Sequence, residues 1–410
     1  MTNLDWNELL HLMEHFATSL KAKSLIQKLA PLATPEEASR YRDMILKVMG
    51  WLDHGRPQLE SVDLFDPWFL RLKKGASLRP VELKDTRTFC MEYLALVTLV
   101  DLVTDKPLPE FSVEGVGLDG EGVLSALDQI IMPSGDIRSD ASEKLYQLIR
   151  EKESLRVKIH QVLDQLIKEY DIHDYLQDRY VTTREGRWVI PVKSGRQHAV
   201  AGVIHGSSQT KQTVYLEPEV TISLNNRLRE IEVEIEEEIE RLLLQISNFL
   251  RDFIGPLEKA HQLMLKYDVL FALAQFSRRV EGHRVTWSSG SLLRLEGLRH
   301  PLMVFHGKNP VANTVELNTQ KRILLLSGPN AGGKTVLLKS IGLACQMARC
   351  GLPVCALSAE VPFFSEILVG IGDSQAINQE LSTFAAHLKL LNQASQLEGS
   401  SYLILVDEIA

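Results

Sequence analysis

The chain has 410 residues, of which 45% are hydrophobic and 24% are charged, and its formal net charge at pH 7 is −8. This length and apolar content are enough to bury several cores, and the negative charge excludes a chain that is basic throughout. Because no stretch approaches the roughly 18 uncharged apolar residues of a membrane span and the first residues are too polar for a signal peptide, we expect a cytoplasmic protein with no membrane partner.

The first part of the chain has the pattern of a helical bundle. From Trp6 to about Asp105 apolar residues recur every three or four positions, and prolines interrupt the pattern. A connection rich in proline and glycine follows, and then one long amphipathic helix extends to about Tyr170. We therefore assign residues 1–137 to a helical core and residues 138–180 to an outgoing helix.

The pattern changes to a period of two in residues 181–217, which predicts a small β-rich module. After Pro218 a second long helix begins, with apolar residues spaced as in a coiled-coil seam. Two long helices on either side of a compact module predict an antiparallel pair that carries the module at its end. Residues 218–284 are assigned to this returning helix and to a further core helix.

Charge distinguishes the β-rich module from the rest of the chain. Its five basic residues face only two acidic ones, so the module has a net charge of +3 within a chain of −8. Composition alone leaves open whether this surface contacts nucleic acid. The glutamates of the returning helix, from Glu230 to Glu240, are predicted to form an ordinary solvated helix face. The candidate nucleic-acid-binding residues are Arg184, Arg187, Lys193, Arg196 and Lys211.

Residues 285–410 contain the phosphate-binding pattern G-x-x-x-x-G-K-[ST]. An apolar strand over residues 323–326 is predicted to precede it, and a helix from Lys334 to about Arg349 to follow it. Backbone amides of such a loop and the positive end of its helix bind phosphate oxygens, Lys334 reaches the terminal phosphates, and Thr335 supplies a hydroxyl ligand to Mg²⁺. The predicted phosphate-binding residues are Gly328, Pro329, Asn330, Ala331, Gly332, Gly333, Lys334 and Thr335.

A second motif supports a nucleotide site. The apolar run Tyr402 to Val406 predicts a buried parallel strand, and it ends in two carboxylates, Asp407 and Glu408. We assign Asp407 to Mg²⁺ and Glu408 to polarising the attacking water. Because a core strand is followed by so few residues, we expect this sequence to be a fragment of a longer protein.

The sequences of these motifs resemble those of one protein family. Residues 327–335 are similar to the phosphate loop of the MutS family of dimeric ATPases, and Arg299-His300-Pro301 and Ser382-Thr383-Phe384 resemble two further signatures of that family. Residues 182–193, 205–208 and 216–218 are similar to the clamp of the short second bacterial MutS type, which lacks the mismatch-recognition lobes.

This resemblance implies a mixed fold: an all-α core with long lever helices and a small β-rich clamp, followed by an α/β P-loop ATPase domain, incomplete here. It implies a homodimer that binds ATP and Mg²⁺, with Ser382 reaching the partner's nucleotide and with Val311 and Asn313 beside the adenine. It further implies clamping of branched or recombination-type DNA to restrain recombination, and a nuclease domain beyond residue 410.

Two alternatives remain open at this point. The same branch of the family is linked to stalled or collided ribosomes, whose subunits an ATP-driven rearrangement would separate. Since DNA and ribosomes are both polyanions, the charge of the clamp does not choose between them. The other alternative is a binding module in which ATP only locks the dimer and is not turned over.

Overall fold

Helices dominate the computed structural model, which describes residues 4–103, 105–168, 174–178, 180–328, 333–371, 392–396 and 401–407. Its contacts divide the chain into two compact units. The first contains Met1–Asp66, Thr88–Gly120 and Gly255–Ala410, and the second contains Pro67–Arg87 and Glu121–Ile254. In the described ranges, no helix is both long and apolar enough to cross a bilayer.

The chain before residue 129 forms short and medium helices, as its apolar spacing predicts. Local capping determines where the third of these helices begins: Thr34 accepts a hydrogen bond from the amide of Glu37 (3.2 Å), with Pro35 at the first helical position. The helices are α1 (Trp6–Glu14), α2 (Leu20–Gln27), α3 (Pro35–Trp51), α4 (Ser61–Lys73), α5 (Pro80–Leu102) and α6 (Gly120–Asp128).

The core of the first unit is built around helix α9 (Ile254–Arg279) and one fully buried carboxylate, that of Asp268. Asp268 accepts hydrogen bonds from the amide and hydroxyl of Thr18, both at 3.0 Å, and from the amide and hydroxyl of Ser19, at 2.8 and 2.6 Å. The guanidinium of Arg56 donates a fifth bond at 2.6 Å. The start of α2 is thereby joined to the centre of α9, 250 residues away.

The second unit contains two long antiparallel helices, α7 (Glu143–Lys168) and α8 (Glu219–Arg251). Their direction follows from two contacts: Ser142 donates to Glu238 (2.7 Å), whereas Glu151, further along the first helix, accepts from Arg227, which is earlier in the second (2.9 Å). The helix pair predicted from the sequence is therefore present. Its action as levers stays a prediction.

A four-stranded antiparallel sheet connects α7 to α8, with strand order β1-β2-β4-β3. Its core is continuous with both helices, because Ile159 and Leu163 of α7 and Leu228 of α8 are buried in one cluster with Ile190 and Leu216 of the sheet. The sheet therefore packs firmly on the helix ends. The strands are β1 (Thr182–Arg184), β2 (Arg187–Lys193), β3 (Gly202–Ser207) and β4 (Thr213–Pro218).

The glutamate run of α8 is not simply a solvated face, which corrects the prediction for one residue. Glu238 is only 2% exposed, and its carboxylate accepts hydrogen bonds from Arg241 (2.7 and 3.0 Å) and from Ser142 (2.7 Å). These bonds, the Arg241 bond foremost, lower the pKa of Glu238 to about 2 from its ordinary value of 4.5. This carboxylate therefore joins α7 to α8.

We predict that Glu238→Gln will lower the free energy of unfolding at pH 7 by about 1–3 kcal/mol, because a charged hydrogen-bond acceptor is lost in a buried position. A lowered pKa means that the stabilisation is complete above pH 4.5 and is lost as the pH falls towards 2. The stability difference between wild type and variant should therefore shrink over that interval. Urea unfolding at several pH values measures it, with the exposed Glu237→Gln as control, and a difference that stays constant down to pH 3 would contradict this role.

The remaining strands and helices belong to the first unit. One mixed sheet has the order β5-β8-β6-β7, in which β5 and β8 are parallel and β6 is antiparallel to both neighbours. A second, two-stranded sheet pairs β9 with β10 in parallel. The elements are β5 (Val285–Trp287), β6 (Leu293–Leu298), α10 (Pro301–Phe305), β7 (Asn313–Leu317), α11 (Lys334–Arg349), β8 (Ser358–Val361), β9 (Glu366–Gly370) and β10 (Tyr402–Val406).

Candidate nucleotide and metal site

The helix after the phosphate-binding pattern begins and ends where the sequence predicts, at Lys334 and Arg349. Gly333 precedes it with φ of +79°, a left-handed backbone conformation that residues other than glycine rarely adopt. The Lys334 ammonium donates to the carbonyl of Gly328 at 2.7 Å, so this side chain lies back over the start of the loop. The loop residues Pro329, Asn330, Ala331 and Gly332 lie outside the described residues.

The strand predicted over residues 323–326 is absent, so this prediction was wrong. No strand is assigned to the segment, and Ile323 and Leu325 are 88% and 84% exposed. A strand needs a hydrogen-bonded neighbour, and none of the strands in the described part of the chain pairs with this segment. Apolar, β-favouring composition indicated a strand but carried no information about a partner.

The contact between Thr335 and Asp407 is the central feature of the site. The hydroxyl of Thr335, in the first turn of α11, donates to Asp407 Oδ2 at 2.5 Å. Asp407 directly follows β10, which forms over the predicted residues and pairs in parallel with β9, and its amide continues the ladder to Gly370 (3.0 Å). Two side-chain oxygens that are 72 residues apart in sequence, and that could both bind a metal ion, thus lie side by side.

This donor pair fits Mg²⁺, a hard cation that binds carboxylate and hydroxyl oxygens. Thr335 and Asp407 are both partly exposed, so a cation and its remaining ligands have access to them. P-loop proteins hold Mg²⁺ with a loop threonine or serine and a strand-end aspartate. Thr335 and Asp407 are the residues that would hold the ion.

The other predicted nucleotide contacts are less well defined. Val311 is 81% exposed, and the side-chain amide of Asn313, at the start of β7, donates to the carbonyl of Val311 at 2.9 Å. Their assignment to the adenine side stays a prediction. Ser382 and Glu408, predicted as the contact to the partner's nucleotide and as the catalytic carboxylate, lie outside the described residues.

The candidate nucleic-acid-binding residues of the β-rich module fall into two groups. Arg184, Lys193, Arg196 and Lys211 are exposed. Two of them lie over aromatic rings, since the guanidinium carbon of Arg184 is 4.1 Å from the centre of the Tyr215 ring and that of Arg196 is 6.0 Å from the centre of Tyr175. Such positions leave the polar edge of an arginine available to solvent.

Arg187 forms the second group because its guanidinium is hydrogen-bonded within the module. It donates to both oxygens of Glu217, at 2.8 and 3.1 Å, and to Asn226 Oδ1 at 2.8 Å. Glu217 is 1% exposed and also lies 2.6 Å from His205 Nε2 and accepts from Asn225 at 2.8 Å. This network of side chains ties β2, β3 and β4 to the first turns of α8.

Two residues near the site, Lys339 and Asp5, were missed by the sequence analysis. Lys339, four residues after Thr335 on α11, donates to both carboxylate oxygens of Asp5, at 2.9 and 3.1 Å. The helical spacing from Thr335 was a usable signal for Lys339, but nothing in the sequence indicates its partner 334 residues earlier. His300, which belongs to the Arg299-His300-Pro301 signature, is 5% exposed, and burial lowers its pKa.

Comparison with known proteins agrees with this geometry. Residues 324–410 match the family described as MutS domain V. Proteins named Endonuclease MutS2 from Gemmatimonas aurantiaca and Thermotoga neapolitana are each 30% identical over 99% of this chain, which covers 50% and 52% of their lengths. The namesake from Aquifex aeolicus is 35% identical over 70% of this chain and 38% of its own length. The chain spans about half the length of the first two relatives.

A glycine-rich loop that leads into a helix, with a strand-end aspartate bonded to the loop threonine, is the arrangement typical of P-loop nucleotide-binding proteins. The comparisons identify the branch. The chain is a MutS2-like member of the MutS family.

Proposed function

We propose that this chain is the ATP- and Mg²⁺-binding ATPase part of a dimeric protein that clamps branched or recombination-type DNA and so restrains recombination. The observation that carries the proposal is the 2.5 Å contact between Thr335 and Asp407 at the end of the phosphate-binding loop. In this proposal residues 285–410 form the ATPase domain and residues 181–217 the clamp. The segments 138–180 and 218–284 contain the lever helices.

The ATPase assignment follows from what phosphoryl transfer requires, which is positioned groups and stabilised charge. Lys334 and the loop amides bind the phosphates, while Thr335 and Asp407 hold the metal. Mg²⁺, when bound, neutralises charge that develops on the phosphate oxygens. Glu408 orients the attacking water, and Ser382 contacts the nucleotide of the other subunit.

The clamp assignment is supported by how the β-rich module is built. Four basic side chains are exposed on the strands and turns of a module whose core is continuous with α7 and α8, so a packed module presents these charges. Arg187 enters the proposal as a residue that holds this surface in place, because its guanidinium is bonded to Glu217 and Asn226. Phosphate contacts of this kind give affinity that depends strongly on salt and little on sequence.

Neutralising the four exposed basic residues should weaken binding to a four-way DNA junction at least about tenfold at physiological salt. Each lost phosphate contact should also reduce the slope of log affinity against log salt by about one. Fluorescence anisotropy over a salt series measures both quantities. The variant is Arg184→Gln, Lys193→Gln, Arg196→Gln and Lys211→Gln, and the control neutralises four exposed residues of the first unit, Lys28, Arg40, Lys259 and Lys308.

Competition between the four-way junction and ribosomes in the same assay decides which of the two the protein binds. If the junction is bound and ribosomes fail to displace it, the DNA proposal holds. Displacement by ribosomes at much lower concentration would favour the ribosome-splitting alternative. If the clamp variant and the control bind the junction equally well with the same salt slope, the clamp surface is not the binding site and the proposal loses its second half.

A further inference from the structure

The seam between α11 and β10 contains a residue from the very start of the chain. Leu4 is fully buried, and a Cβ placed on Gly342 of α11 would lie 2.6 Å from Leu4 Cδ2 and 2.6 Å from Leu405 Cδ1. A side chain at position 342 would force these leucine side chains to shift, so glycine allows both of them to pack against the helix. Leu4 therefore packs where the helix that begins with Lys334 and Thr335 meets the strand that ends just before Asp407.

The next residue adds an ion pair to the same helix. Asp5 adopts a left-handed backbone (φ 59°, ψ 20°), which short polar residues tolerate better than most. Both of its carboxylate oxygens accept from Lys339, at 2.9 and 3.1 Å, one helical turn after Thr335. The Lys339 and Asp5 side chains are 21% and 28% exposed, so solvent screens this pair less than it screens a surface pair.

The surroundings of Asp5 favour a single arrangement of this carboxylate. His300 Nε2 lies 3.9 Å from Asp5 Oδ2, and His300 is 5% exposed. Asp5 also starts α1, whose first residue, Trp6, is buried in the core of the same unit. The segment of residues 4–6 is thus held at one end by the core and at the other by the seam.

We propose that residues 4–6 are a positioning element of the nucleotide site, which keeps α11 and β10 in the relation that places Thr335 beside Asp407. This inference rests on the proposed ATP and Mg²⁺ site. Metal and phosphate ligands must be held within a fraction of an ångström, so a small rotation of α11 against β10 separates the two oxygen donors. Leu4 fills the seam and Asp5 fixes the rotation of the helix through Lys339.

The test measures the affinity for nucleotide with and without Mg²⁺, and this measurement does not require turnover. Asp5→Asn should weaken binding of a fluorescent ATP analogue in Mg²⁺ buffer roughly five- to tenfold. In EDTA, where only the loop and Lys334 act, the change should be less than about twofold. Lys339→Met, which removes the other member of the ion pair, should weaken binding in Mg²⁺ buffer to a similar extent. The control is Asp53→Asn, which removes another ion pair of the same unit, Arg278 to Asp53 at 2.8 Å.

A second measurement follows the helix itself. Amide hydrogen exchange in the first turns of α11 should be faster in Asp5→Asn than in wild type and unchanged in Asp53→Asn. Equal losses of affinity in Mg²⁺ and in EDTA, or a variant that binds as wild type does, would overturn the positioning role while leaving the nucleotide site in place. If wild type itself takes up no nucleotide in Mg²⁺ buffer, the proposed function fails first and the positioning role fails with it.

Discussion

Lys334→Ala is expected to lower the affinity for Mg²⁺-ATP by at least about 100-fold, which corresponds to about 2.7 kcal/mol. The ammonium lies at the start of α11 and reaches back to the carbonyl of Gly328, the first residue of the phosphate-binding pattern. Charge-assisted bonds from lysine to phosphate are stronger than neutral ones, and alanine leaves the phosphate charge without its cation. Isothermal titration calorimetry with ATP in magnesium buffer measures the loss.

The matched control is Lys308→Ala, which removes an exposed lysine of the same unit and should leave the affinity within about twofold. Circular dichroism establishes that both variants are folded. Equal affinities for wild type and Lys334→Ala would contradict the phosphate-binding assignment.

ATP turnover by wild type and by Glu408→Gln then distinguishes an enzyme from a module that ATP only locks. A clear drop in the rate of the variant supports hydrolysis, and equal negligible rates support a nucleotide that only locks the protein.

Asp268→Ala is expected to destabilise the first unit by about 3–5 kcal/mol, the largest single effect on stability that the structure predicts. The carboxylate accepts five hydrogen bonds from Thr18, Ser19 and Arg56, and it is fully buried. Alanine leaves the buried donors of Ser19 and the partly buried donors of Thr18 and Arg56 without this partner, and a fully buried donor costs about 1–3 kcal/mol if unrelieved. The start of α2 should then separate from α9.

Hydrogen exchange at Leu20 to Ala22 and urea unfolding together measure this effect, since the chain has two units and a single transition is not assured. Asp101→Ala is the control, because Asp101 is exposed on α5 and surface changes of this kind usually alter stability by less than about 0.5 kcal/mol. A loss below about 1 kcal/mol in Asp268→Ala would mean that water satisfies the buried donors.

The elements that the sequence predicted well are those encoded by local pattern. The helix after the phosphate loop and the strand before Asp407 both have the predicted bounds, because apolar spacing and flanking glycines act over a few residues. The expected helix pair and the β-rich module between its helices are present for the same reason. Residue types and motif spacing also singled out Thr335 and Asp407, and the structure brings the two side chains into contact at 2.5 Å, while their role as metal ligands stays a prediction.

Only the tertiary structure decided which charged groups are paired with which. Arg184 and Arg187 are equivalent in composition, yet one is exposed and the other is bonded to buried Glu217. The tertiary structure also decided that Asp5 pairs with Lys339. It likewise decided that residues 323–326 form no strand, because a strand needs a neighbouring strand to pair with. Local periodicity determines the elements themselves, whereas a partner hundreds of residues away is determined by how those elements pack, and that packing has no short-range signature in the chain.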